Sequence, residues 1–164
     1  MNFGFIILLH KTILSCMVFD IISNVIKNNV FFKQFTIWNL VGLFFDPMNR
    51  LIIMNNIIVF ILFHSCLIFE PNLIVTIPKK CNLSMNNFHM ANIVFHILPL
   101  FYSMYMIYNY NIVFDIIDIF DNIVFAMCWQ FYVEFDYSLY SISKQYYFNL
   151  YLIYLSSLFG FIVW

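Results

Sequence analysis

Two histidines sit where apolar side chains dominate, His64 in the run ILFHSCLIF and His96 in IVFHILPLF. A neutral imidazole nitrogen is a good iron ligand, and two imidazoles on facing helices hold a haem from both sides. His64 lies six residues before Glu70, the charge that closes its run, and His96 falls at a similar depth in the next one. With a rise of 1.5 Å per residue, both lie about 9–12 Å below one edge of a helical bundle. His64 and His96 are therefore the candidate haem ligands. The plainer expectation is that each ring bonds a backbone carbonyl. His89, seven residues before His96, shares its helix face and cannot oppose it across one iron.

Residues 115–124 place Asp115, Asp118 and Asp121 among Ile116, Ile117, Ile119 and Phe120. At about 100° per residue the carboxylates fall within an arc of about 120°, opposite the apolar side chains. The pattern predicts an amphipathic helix lying in a membrane surface. Acids within a membrane line ion routes, so Asp115, Asp118 and Asp121 are also the candidates for ion conduction. The twelve residues that follow, 122–133, are too few to cross a bilayer unaided.

Other chemistry has no residues to carry it. Gly4, Gly42 and Gly160 are too scattered to build a phosphate loop. Cys16, Cys66, Cys81 and Cys128 lack the close spacing of a zinc or iron–sulfur site. No HExxH motif or Ser-His-Asp arrangement occurs, so neither enzyme activity nor a metal site is expected. The longest basic run is Lys79-Lys80 and the net charge is −1, which leaves no electrostatic footprint for nucleic acid.

What must position these residues follows from composition. The chain of 164 residues is 64% hydrophobic and 9% charged, with a mean hydropathy of +0.89. Soluble domains average about 45–50% apolar and about 25% charged. Seven basic and eight acidic residues cannot clothe a soluble fold of this size. Lipid is the expected surroundings. Phe, Leu, Ile, Tyr, Asn and Lys dominate while Gly and Ala are scarce, the mark of A/T-rich codons. Such a composition fits an organelle genome, and it also fits a weakly selected A/T-rich reading frame.

Charges fence the candidate spans, each of which needs about 20 apolar residues. Residues 51–69 hold no Asp, Glu, Lys or Arg, and Arg50 and Glu70-Pro71 bound them. Their Leu, Ile, Val and Phe each contribute about −0.3 to −0.6 kcal/mol at mid-membrane, which outweighs Asn55, Asn56 and His64. Residues 145–164 begin with Tyr146, Tyr147, Tyr151 and Tyr154 and end at Trp164, an interfacial aromatic pattern. Residues 90–108 contain Pro99, which a membrane helix tolerates as a kink. Residues 30–46 form a shorter span whose Lys33 snorkels to the headgroups. An extra segment, 3–19, is interrupted by Lys11. No basic residue precedes its apolar run, so it reads as a first span or interfacial segment rather than a secretory signal.

The fold class expected is thus all-α, a multi-pass transmembrane helical protein of about four spans, or five if 3–19 inserts. Strands are not expected, because no stretch alternates polar and apolar residues as a membrane barrel requires. Lys27, Lys33, Lys79 and Lys80 fall on one side of a four-span topology. Asp115, Asp118, Asp121, Glu134 and Asp136 fall on the other. The bias towards basic loops on the inner side then puts the C-terminal end with the lysines. The sequon Asn82-Leu83-Ser84 disagrees with that orientation.

Three functional readings follow. The first is a non-catalytic accessory or structural subunit of a membrane assembly, with the lipid bilayer and other membrane subunits as partners. An organelle inner membrane fits its composition. The second is a haem-binding or ion-conducting subunit that uses His64 and His96 or the aspartates. The third is a weakly selected product of an A/T-rich frame.

Overall fold

The computed structural model describes residues 35–80, 83–133 and 144–161. Among them every regular element is helical: α1 (Phe35–Phe45), α2 (Arg50–Phe69), α3 (Leu73–Lys80), α4 (Met85–Tyr110), α5 (Ile116–Tyr132) and α6 (Lys144–Gly160).

Local sequence explains where the helices start and stop. The Asn49 side chain accepts from the Leu51 N–H at 3.0 Å and so caps α2. Pro71 disfavours helical backbone at Glu70 and ends it. Ser84 caps α4 through the Asn87 N–H. Asn111, the C-cap of α4, adopts the left-handed conformation at φ 49°, which asparagine tolerates better than most residues. Pro99 lacks the N–H that would bond back four residues, and a π-helical turn at Ile93–Ile97 precedes it. There the Leu98 N–H bonds to the Ile93 carbonyl, five residues back. A wider turn absorbs the proline that the sequence marks as a kink.

Helix α2 is the hub. It packs against α1, α4, α5 and α6, and its two apolar faces build two cores. Ile52 and Ile53 meet Leu40, Leu43, Val94 and Met106 from α1 and α4. Met54 and Ile58 meet Ile119, Tyr154 and Leu158 from α5 and α6. Contacts fix the directions. Asn39 reaches Asn56 and Gly42 approaches Ile52, so α1 and α2 are antiparallel. Phe63 meets His96 at one level and Asn56 meets Ser103 at another, so α4 is antiparallel to α2. Arg50 meets Asp118 while Val59 packs on Trp129, so α5 runs with α2. Gln130 meets Tyr147 and Asn122 meets Tyr154, which turns α6 back again. The result is an up-and-down bundle with the short α3 folded across the end where α2 finishes.

Several expectations change. Among the described residues two helices, α2 and α4, are long and apolar enough to cross a bilayer, where the sequence predicts four or five spans over the whole chain. The segment 51–69 coincides with α2. The segment 90–108 is part of a longer helix that begins at Met85. The described parts of 30–46 and 145–164 are helices of 11 and 17 residues. Residues 3–19, Lys27, Lys33, Asn82, Glu134, Asp136 and Trp164 lie outside the described residues. Residues 73–80, to which the sequence assigns no element, form α3 despite Pro78. Finally, 115–124 is not a separate surface helix. It opens a continuous 17-residue helix to Tyr132, because no breaker follows Phe120. This return leg places the end of α6 beside Phe114, with Phe114 and Phe161 rings 5.1 Å apart, and so opposite the Lys79 end rather than beside it.

Candidate functional site

At the end of the bundle where α2 finishes, the helices part around a cavity of about 170 Å³. Its walls are mostly apolar and aromatic, with Phe35, Phe63, Phe95 and Trp129 among them. Both alanines of the chain, Ala91 on α4 and Ala126 on α5, line it. These two short side chains leave space between α4 and α5.

Asn92, His96 and Gln130 are among the polar residues of that wall. His96 and Gln130 are buried and Asn92 is half-buried. Gln130 donates through Nε2 to the Tyr147 hydroxyl at 2.8 Å. Its Oε1, Asn92 Oδ1 and His96 Nδ1 are buried atoms without a hydrogen-bond partner. A buried polar atom left unpaired costs about 1–3 kcal/mol, so these three residues each carry an unmet hydrogen-bonding capacity. Sites of this kind, concave and apolar with a few convergent polar groups, are where ligands bind.

The histidines are brought to one level, with a ring between their surroundings. Phe63 stacks on His96 at 3.8 Å and 12°, and meets His64 edge-on at 5.4 Å. His64 Nδ1 donates to the Phe60 carbonyl at 2.9 Å, the plainer arrangement expected from sequence. His96 makes no such bond through Nδ1. Among the described residues no group of three or more His, Cys, Asp or Glu side chains is placed to hold a metal.

The aspartates separate at the other end. Asp115 caps α5, accepting from the Ile117 and Asp118 N–H groups at 2.8 and 3.2 Å, while Asp118 Oδ2 accepts from the Asp115 N–H at 2.8 Å. This reciprocal capping box starts the helix. Asp118 is buried and paired with Arg50, whereas Asp121 is exposed. The backbone N–H of Asp118, then that of Ile117 and the Arg50 charge, hold the Asp115 carboxyl below its ordinary range. The three residues therefore do three different things, and no common acidic face remains.

A second polar feature went unseen in the sequence. Asn39 donates to Asn56, and Asn56 donates to Ser103 Oγ at 2.9 Å, a relay across α1, α2 and α4 inside the bundle. The Tyr154 hydroxyl donates to the Asn122 carbonyl at 2.8 Å and ties α6 to α5. The signal was present as amides inside apolar runs, counted there only as a cost of insertion.

No family model, curated protein or solved structure matches the chain.

Proposed function

We propose that the chain is a small multi-pass integral membrane protein without catalysis, an accessory or structural subunit of a larger membrane assembly. The observation that carries this reading is an outer surface rich in exposed aromatic and aliphatic side chains around a core that also buries amides. Asn56 is 1% and Asn122 0% exposed, while Phe45 is 79% and Phe131 65% exposed. Ile68, Phe101, Val113, Ile116, Phe120 and Phe148 continue the outer apolar surface. Water would drive the opposite arrangement, because burying an amide costs and burying a phenyl ring gains. Lipid removes that gain and rewards interhelical hydrogen bonds instead.

Charge placement supports the same reading. Among the described residues Asp46, Arg50, Asp115, Asp118 and Asp121 gather at one end of the bundle, and Glu70 and Lys79 at the other. Helix α2 has 20 residues and so rises about 30 Å between those ends, the thickness of the hydrocarbon core. Exposed phenyl rings then face either lipid chains or a neighbouring subunit.

The experiment is membrane extraction followed by labelling. The protein should stay in the membrane pellet through an alkaline carbonate wash. Cysteines introduced by Met48→Cys and Lys79→Cys should be labelled from opposite sides of sealed vesicles. In digitonin it should migrate well above its 19.8 kDa monomer in a micelle. Recovery in the wash would end the membrane reading, and a monomer in digitonin would end the subunit reading.

A further inference from the structure

We infer that α3 lies in the membrane surface, with Ile74 and Val75 among the lipid chains and Lys79 at the headgroup phosphates, an inference that rests on the membrane reading above. Its level comes from α2. That helix rises about 30 Å over its 20 residues, about the thickness of the hydrocarbon core. The turn through Glu70, Pro71 and Asn72 then lays α3 across its end. The eight residues of α3 therefore sit where lipid chains give way to headgroups.

At about 100° per residue, Leu73, Ile77, Ile74, Pro78 and Val75 follow one another over an arc of about 200°. Lys79 falls about 40° beyond Val75, and Thr76 follows it. The bundle covers only part of the apolar arc. Leu73 is buried against Tyr147, with Ile77, Cys66 and Leu67 packed around them. Ile74 stays 36% and Val75 48% exposed. Ile68 and Phe69, in the last turn of α2, are exposed at the same end of the bundle. Lys79 is exposed, and the Thr76 hydroxyl donates to the Asn72 carbonyl at 3.2 Å, so the polar side asks nothing of the bundle. A wide apolar arc with a cation at its border suits a helix lying parallel to a bilayer. It also specifies the occupant. Lipid chains cover Ile74 and Val75 without a shaped partner surface, and phosphate oxygens accept from the ammonium at the end of the long Lys79 stem.

The test uses the full chain in phosphatidylcholine vesicles, with its four cysteines replaced by serine. A polarity-sensitive fluorophore is then attached through Ile74→Cys, Val75→Cys, Thr76→Cys or Phe101→Cys, one at a time. Phe101, exposed on α4, reports on the membrane reading itself. Labels at positions 74 and 75 should emit at shorter wavelength than the label at 76. A nitroxide near the lipid headgroup should quench them more than one near the chain end. The label at 76 should be quenched by aqueous iodide instead. Water-like labels at 74 and 75 beside a lipid-quenched label at 101 would overturn this inference alone. A water-like label at 101 would overturn the membrane reading and this inference with it. Labels at 74 and 75 shielded from both iodide and nitroxide would mean that protein covers α3, which also overturns the inference. Should the serine variants not fold, the unmodified chain can be photolabelled by a phosphatidylcholine whose reactive group lies just below the glycerol. Adducts should then appear between Leu73 and Lys79, and adducts on α4 with none on α3 would overturn the inference.

Discussion

Arg50, the first residue of α2, donates to Asp118 Oδ2 in the first turn of α5, 68 residues further along the chain. The same guanidinium donates to the Val113 carbonyl and lies 3.4 Å from Asp115. One cation thus closes the start of two helices that run side by side. The Asp118 side chain is 12% exposed, so it cannot recover full hydration when its partner is gone. Asp118→Asn should cost about 1–3 kcal/mol, the range for leaving hydrogen-bonding groups unpaired at a largely buried site. Asp121→Asn, at an exposed position of the same helix, should stay within about 0.5 kcal/mol. Unfolding of each variant in mixed micelles measures the difference. Equal losses would mean that the aspartates act as one face after all.

Asn55 and Asn56 are neighbours on α2 and should respond with opposite sign. Asn56 bridges Asn39 and Ser103, so Asn56→Val strands groups on two other helices. Interhelical hydrogen bonds in membrane proteins average about 0.6 kcal/mol and reach about 1.7, and two are lost here. Asn55 is fully buried and neither atom of its amide has a hydrogen-bond partner. Asn55→Val removes that burden and should stabilise by about 1 kcal/mol. The same replacement at adjacent positions cancels changes in size and helix propensity. A shared sign in the two unfolding curves would refute the assignment of their roles.

What the sequence disclosed depended on whether local signals were enough. Helix α2 was legible because Arg50 and Glu70-Pro71 fence a charge-free run, and both act on the residues beside them. Helix α5 was read too short because its charged turn and its apolar remainder look like two segments. Only the pairing of Asp118 with Arg50 and of Asn122 with Tyr154 explains why polar and apolar halves share one helix. The same contacts bring the end of α6 back beside Phe114. The level shared by His64 and His96 followed from counting residues, but Phe63 between their surroundings did not. The cavity was illegible for a simpler reason. Ala91 and Ala126 leave space only because two distant helices meet there, and nothing near either residue records that meeting.

The capping box at Asp115 carries a pH signature. Its carboxyl titrates below the ordinary value of 3.8, chiefly because the ionised form accepts the Asp118 N–H. For a group with a depressed native pKa, the unfolded chain takes up the proton first as pH falls. The stabilisation is therefore complete above the unfolded value and is lost as pH drops through the lower native one. The thermal midpoint of the wild type should decline over that acidic interval more steeply than that of Asp115→Asn, which keeps a neutral cap. At neutral pH the variant should be the less stable of the two. Parallel curves between pH 6 and pH 3 would show that the carboxylate contributes nothing to the cap.

Gly42 on α1 faces Ile52 on α2. A Cβ added there would overlap Ile52 Cδ1 and lie 3.0 Å from its Cγ1. Ile52 is buried against Leu40 and Leu43, so its terminal methyl has little room to swing aside. Gly42→Ala gains about 1 kcal/mol of helix propensity but overpacks the contact by about 1–3 kcal/mol. The net effect should be destabilising by about 1 kcal/mol. Ile52→Val deletes the Cδ1 methyl that makes the closer contact. In that background the clash is largely gone, and Gly42→Ala should become neutral or stabilising. The coupling across this double-mutant cycle should be about 1–2 kcal/mol. An additive cycle would mean that the helices separate instead, and that the glycine does not set their spacing.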